Sequence, residues 1–293
     1  MKHDHIFSAP LRRSYVVIDI ESAVTDEAGH ARYLEMERWT PRKDDTHSRR
    51  GYKRHEDPLK TPRWPFQTLL TASLMVLVEH DGGNLEVSRF VTLSAPDHDE
   101  REIVEGVFSV LAETPAQTEL VSWNGAWHDL PLLKLAALKH GACLPKEWKW
   151  MCWGGEGRVP HIDLARLLTG GGKMKPVHMS EYAAALDIPA KLSAAPYAVA
   201  RLVAQERWDL VQEVCEGDVI TTALLLARWR CLLDPRADAL VVQARILRQV
   251  EELRAGRSYV GKLAKCRTGT FEALVAAGKS DLEKFAPWLC EGD

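Results

Sequence analysis

No two of the six cysteines (Cys143, Cys152, Cys215, Cys231, Cys266 and Cys290) stand in CxxC spacing, and six among 293 residues is sparse. That excludes a zinc ribbon and a dense disulfide framework, and fits free thiols in a reducing compartment. No apolar run is long enough to span a bilayer, the longest lying around residues 69–78. The first ten residues, MKHDHIFSAP, also lack the apolar stretch of a signal peptide. Excess charge is missing too: 38 Lys plus Arg face 41 Asp plus Glu, a formal net charge of -3. Binding that coats nucleic acid through bulk positive charge is thereby excluded, and any nucleic-acid contact must be local. GxSxG and HExxH do not occur, and TGGGKM at residues 169–174 lacks the early Gly and the following Ser or Thr of a P-loop. The expectation is a soluble, cytoplasmic protein.

What is present is ordinary globular material, 46% apolar, enough for one large core or two smaller ones. Tyr15-Val16-Val17-Ile18-Asp19-Ile20 has apolar residues on both faces, the pattern of a central strand covered on both sides. From about residue 30 to 65 the composition turns to Arg, Lys, Asp, Thr and Pro without periodicity, as in a long functional loop or a disordered insertion. Strands are expected at 68–79 and 85–93, joined by a turn with Asp-Gly chemistry. A helix over 97–113 and a strand over 119–123 then give the order βββαβ. Further helices are expected over 130–140, stopped by Gly141, then over 179–186, 194–205 and 209–232, with a largely helical tail over 235–288. The resulting fold class is α/β: a mixed five-stranded sheet flanked by helices. By domain, residues 1–13 form an N-terminal lead, 14–232 the main unit and 233–293 a helical C-terminal extension.

Asp19 and Glu21 lie two apart on the first strand, so both side chains leave the same face, about 7 Å apart along the chain. Two like carboxylates are costly to bury without positive charge, and neither Lys nor Arg stands in the strand. A bound cation is one solution, and a strand emerging into solvent is the other. Asp129 sits where a loop meets a helix, either as an N-cap with Pro131 in the first turn or as a further ligand. Asp218 shares an apolar stripe with Val211, Val214, Cys215, Thr222 and Leu225, so it needs a partner there. Glu213 and Glu216 fall on the opposite face, expected to be solvated. His161, before Asp163, is expected to be structural, and Trp148, Trp150 and Trp153 either stack on bases or plug the edge of the core, the second being favoured.

Taken together, DxE on a first strand, Nx4D after a later strand and a helical Asp about ninety residues on resemble the DnaQ-like DEDD superfamily of 3'-5' exonucleases, whose core is RNase H-like. LVSWNGAWHDLPLL, HIDLARLL and VCEGDVITTALLL are similar to the PolB-like subfamily, related to the proofreading domain of bacterial family B DNA polymerases. The likeness runs from about residue 14 to 230. It implies that Asp19, Glu21, Asp129 and Asp218 are the four catalytic, metal-binding acids, with Asp19 bridging two Mg2+ or Mn2+ ions. It also implies that Asn124 faces the substrate strand, beside Trp127 and His128. Paired hard cations bound by carboxylate oxygens suit in-line phosphodiester hydrolysis. The implied activity is 3'-5' exonucleolytic cleavage of single-stranded ends, with DNA the expected strand.

One departure stands out. The superfamily usually places a general base, Tyr or His, four or five residues before the last Asp; here these positions hold Val214 and Glu213. Valine cannot accept a proton, and general-base help is worth roughly a hundred- to ten-thousandfold in rate. Glu213 and His128 are candidate substitutes, and the alternative is a catalytically weak or inactive nucleic-acid-binding relative. Arg49, Arg50, Lys53 and Arg54 crowd the insertion that follows Asp19 and Glu21, and are expected to guide a strand toward them. Changing these four to Ala should weaken single-strand binding and flatten its dependence on salt, because fewer counterions are released. Filter-binding titrations at several salt concentrations check this, and an unchanged slope would leave the insertion as a solvated loop.

Overall fold

The computed structural model describes residues 13–36, 62–80, 83–115, 117–152, 160–170, 177–194, 198–234 and 238–285. Strands β1 (Ser14–Thr25), β2 (Gln67–Glu79), β3 (Leu85–Ser94), β4 (Thr118–Ser122) and β5 (His161–Asp163) form one sheet in the order β3-β2-β1-β4-β5. β1 is antiparallel to β2 and parallel to β4, and β4 is parallel to β5. This is the mixed, RNase H-like sheet that the motif order implies, with β1 at its centre.

The alternation along β1 explains its position. Val16, Ile18 and Ile20 pack on one side with Ile103, Val107 and Phe108 of helix α2 (Glu100–Ala112) and Leu132 and Leu133 of α3 (Asp129–His140). Tyr15 and Val17 pack on the other side with Val219, Ile220 and Ala223 of α7 (Trp208–Cys231). A strand buried on both faces must be apolar on both, and this one is from Tyr15 to Ile18. Local signals set the ends of the helices. Asp99 and Glu102 form a reciprocal capping box at the start of α2, and Gly141, at φ 68°, ends α3 in a left-handed turn that glycine adopts without strain.

The expected loop from residue 30 begins instead inside a helix, α1 (Glu27–Met36). Asp26 explains it, since its Oδ1 accepts the backbone N–H of Gly29 at 2.8 Å and satisfies the first turn. Arg49, Arg50, Lys53 and Arg54 lie outside the described residues, as does Trp153. Trp148 is buried and donates from Nε1 to the Leu111 carbonyl at 2.9 Å, so it plugs the core edge. Helices α4 (Leu164–Leu168), α5 (Met179–Ala184) and a short α6 (Val199–Ala204) lead to α7, followed by α8 (Ala239–Leu253) and α9 (Val260–Phe285). None of the described helices is long and apolar enough to cross a membrane.

The tail corrects one expectation about α7. Glu213 and Glu216 do not face solvent: they are 5% and 0% exposed, because the turn between α8 and α9 covers that side of the helix. Glu216 accepts from Arg257 at 2.7 Å, Tyr259 Oη at 2.8 Å and Thr92 Oγ1 at 2.8 Å, with Arg254 at 3.5 Å. Glu213 accepts the Ser258 backbone N–H at 2.7 Å and bonds its hydroxyl as well. Replacing Glu216 with Ala leaves Arg257 and Arg254 facing an uncompensated pocket, and should cost about 3–5 kcal/mol of stability. Urea unfolding of the two proteins measures the loss, and a difference within experimental error would remove Glu216 from the framework.

Candidate metal centre

β4 pairs with β1 only as far as Val17↔Val121, so the later part of β1 runs on past the end of β4. Asp19 and Glu21 emerge in that step, on the face that α7 covers. Their other flank is occupied, with Asp19 opposite Ser73 and Glu21 opposite Thr71 of β2. Cys215 of α7 donates its Sγ–H to the Asp19 carbonyl at 3.3 Å, which brings the helix against the strand one turn before Asp218. One carboxylate oxygen from each of Asp19, Glu21 and Asp218 then lies within 4.8 Å of the others. Asp19 Oδ2 is sealed from solvent without a hydrogen-bond partner.

Asp129 approaches from the loop after β4. It is the first residue of α3 rather than its N-cap, which is His128. Gly125 permits the approach: a Cβ there would stand 2.6 Å from Ser122 Oγ and 3.0 Å from Asp129 Oδ2. Asn124 holds φ at 62°, a left-handed conformation that asparagine tolerates better than most residues. The loop is pinned by Asp163, whose carboxylate accepts the N–H groups of Asn124 at 2.9 Å and Ala126 at 3.2 Å. Ser122 Oγ accepts from the Gly125 N–H and meets His161 Nε2 at 2.9 Å. Burial lowers the His161 pKa, disfavouring the charged imidazole. Trp127 is 70% exposed in this loop, and His128 Nδ1 lies 3.6 Å from Asp129 Oδ1, a pairing that raises the imidazole pKa.

Two residues that sequence reasoning passed over matter here. Asp163 sits in a segment taken only as a strand-to-helix element; it does cap α4, but it also ties down the Asn124 loop. Lys191 Nζ donates to both oxygens of Asp218, at 2.8 and 3.0 Å. Nothing in its neighbourhood, IPAKLS, signals this, because the contact spans 27 residues of sequence. Glu213, a proposed substitute base, is turned away and spent on Ser258, since α7 carries it to the side under the C-terminal helices. Val214 is 3% exposed and packs with Val199, Leu202 and Val211.

The donors are all hard carboxylate oxygens, one of them orphaned, and this set fits a divalent cation of the Mg2+ or Mn2+ kind. The electrostatics agree. Burial, and then Asp129, Asp218 and Glu21, hold the Asp19 carboxyl well above the usual carboxylate range. Glu21 is pushed up to about 8 by burial and by Asp218 and Asp129, against the pull of Lys191. Burial raises Asp218 also, opposed by Lys191.

Such a fold gathers carboxylates where the central strand outruns its neighbour. The family model for predicted 3'-5' exonucleases related to the exonuclease domain of PolB matches residues 62–239, and the chain belongs to that family. The match takes in Asp129 and Asp218 and begins after Asp19 and Glu21. Among solved structures, the chain is similar to the family B DNA polymerase of the archaeon Pyrobaculum calidifontis. The identity is 17% and the TM-score 0.44, over 80% of this chain and 26% of that one. It is also similar to E. coli exonuclease I in complex with a dT13 oligonucleotide, at 8% identity and TM-score 0.39, over 75% of this chain and 42% of that one. The chain thus spans less than half the length of either structure. A comparison with curated proteins finds no match.

Carboxyls whose folded pKa lies above the unfolded value favour folding in their protonated form. Their contribution is complete below the unfolded value and is lost as pH rises through the folded one, about 8 for Glu21. In chelator-treated buffer the thermal midpoint should therefore fall as pH rises from about 5 to 8. Mg2+ or Mn2+ should restore it, and Glu21→Gln should flatten the metal-free decline. Differential scanning fluorimetry across pH checks all three, and a midpoint indifferent to cation would count against a metal centre.

Proposed function

We propose that this protein is a metal-dependent 3'-5' exonuclease that hydrolyses phosphodiester bonds at single-stranded ends, with DNA the expected strand. The observation that carries the reading is the gathering of Asp19, Glu21 and Asp218, with Asp19 Oδ2 buried and unpartnered. In the reaction a water oxygen bonds to phosphorus as the bond from phosphorus to the 3'-oxygen breaks. The proton lost by the water is balanced by one gained at the leaving oxygen, and a nucleotide monophosphate departs. Bound cations supply acidified water and neutralisation of the phosphate. On this reading Asp19, Glu21, Asp129 and Asp218 hold them, as Mg2+ or Mn2+. The loop pinned by Asp163 presents Asn124 and the exposed Trp127 to the strand, Trp127 through base stacking. His128 stands beside them, and Arg49, Arg50, Lys53 and Arg54 steer the phosphates. Residues 14–232 are taken as the exonuclease unit, after a lead over 1–13 and before an extension over 233–293, in a cytoplasmic protein.

Val214 favours a second reading, a strand-binding relative with little turnover. Its side chain is packed against α6 and offers no hydroxyl one turn before Asp218. Turnover separates the two. Purified protein given single-stranded DNA or RNA labelled near the 3' end should release nucleotide monophosphates with Mg2+ or Mn2+, and Asp19→Ala should abolish release. Val214→Tyr should raise the rate about tenfold or more, at a packing cost of about 1–3 kcal/mol. Binding without release in all three proteins would select the second reading.

A further inference from the structure

The two C-terminal helices are unequal in length. α8 has 15 residues and α9 has 26, so at 1.5 Å per residue α9 is longer by about 16 Å. They run antiparallel, tied by Arg267 to Glu251 at 2.8 Å and by Gln243 Nε2 to Thr270 Oγ1 at 2.8 Å. α8 begins at Ala239, one turn before Gln243, and α9 runs on past that point. The side of α9 toward α8 is filled, with Leu263 and Thr270 buried. The adjoining side is open: Phe271 is 48% and Val275 58% exposed.

That open side is patterned. Thr268, Phe271, Val275 and Gly278 follow at spacings of three, four and three, and in the sequence Leu282 and Phe285 continue the alternation. Such spacing makes a seam for a second helix. Intrinsic propensity does not account for the helix here, since Gly269 and Gly278 both disfavour it.

The flanks of the seam specify its occupant. Glu272 and Lys279, opposite in sign, border it, and with Thr268, Phe271 and Val275 they line one shallow hollow. When a second copy is laid antiparallel on the first with Val275 opposite Gly278, each Glu272 comes beside the partner's Lys279. The same register sets a branched side chain against a residue that has none, so the helices can approach closely. A two-fold pair makes each of these contacts twice, which is the self-complementarity an isologous interface requires.

We propose that the exposed seam of α9 is a homodimer interface, in which two copies of this chain pair their α9 helices antiparallel about a two-fold axis. The surface lies outside the acidic cluster and beyond the matched residues 62–239, so the pairing stands independently of the nuclease reading.

Sedimentation velocity of the full chain, over a concentration series reaching about 100 μM, tests it. The wild-type protein should pass from one chain to two. Glu272→Lys alone and Lys279→Glu alone each set like charges together twice in the pair, and each should weaken association about tenfold or more. The double variant, Glu272→Lys with Lys279→Glu, makes the flanks complementary again and should regain the wild-type association. Both changed side chains are exposed, and circular dichroism verifies each fold. A wild-type protein that stays a single chain throughout the series overturns the proposal. A dimer that neither single reversal weakens also overturns it, as does one that the double variant fails to restore, because such a dimer uses another surface.

Discussion

Helix α7 must bury three carboxylates along six residues, and the ways in which their charge is met organise the molecule. Glu216 is surrounded by Arg257, Arg254, Tyr259 and Thr92, and Glu213 is tied to Ser258. Both compensations come from β3 and the turn before α9, and they account for the way the C-terminal helices close over the sheet. Asp218, on the side toward β1, meets Lys191. Only at the next carboxylate inward does compensation stop: Asp19 Oδ2 finds no partner. A fold that neutralises its other buried acids on this helix so fully, and leaves one at the end of its central strand, concentrates its electrostatic deficit in one place.

The legible part of this arrangement was the part with short-range periodicity. The alternation along β1, the strands of the hairpin, the helix stopped by Gly141 and the order of these elements along the chain all rest on residues that act within a few positions of one another. Types and spacing picked out Asp19, Glu21 and Asp218, the three acids whose oxygens the fold gathers. What stayed hidden was long-range. Lys191 reaches Asp218 from a loop without signal, Asp163 reaches a loop 39 residues away, and Ser258 meets Glu213 across 45 residues. The solvated face assigned to Glu213 and Glu216 followed helical geometry correctly, but that geometry cannot register a tail folding back over the same face. Of the helix expected over 194–205, α6 spans Val199–Ala204, and residues 195–197 lie outside the described ones.

The loop after β4 illustrates how rigidity is built from small parts. Gly125 carries no side chain because two neighbours occupy the space, Asn124 accepts a backbone angle that few residues take, and Asp163 holds the residues on either side of Gly125 in place. Three residues of differing chemistry thus converge on one loop shape, and Asp129 follows from that shape as the first residue of α3.

The family match ends at residue 239, yet the physical unit does not end there. The covering of Glu213 and Glu216 by residues beyond 253 means that the stretch recognisable by ancestry and the stretch able to fold as a piece are different lengths. A fragment cut at the boundary of the match would carry two stranded acids on its longest helix. For anyone grafting this module into another protein, the turn over residues 254–259 belongs with the helix it covers.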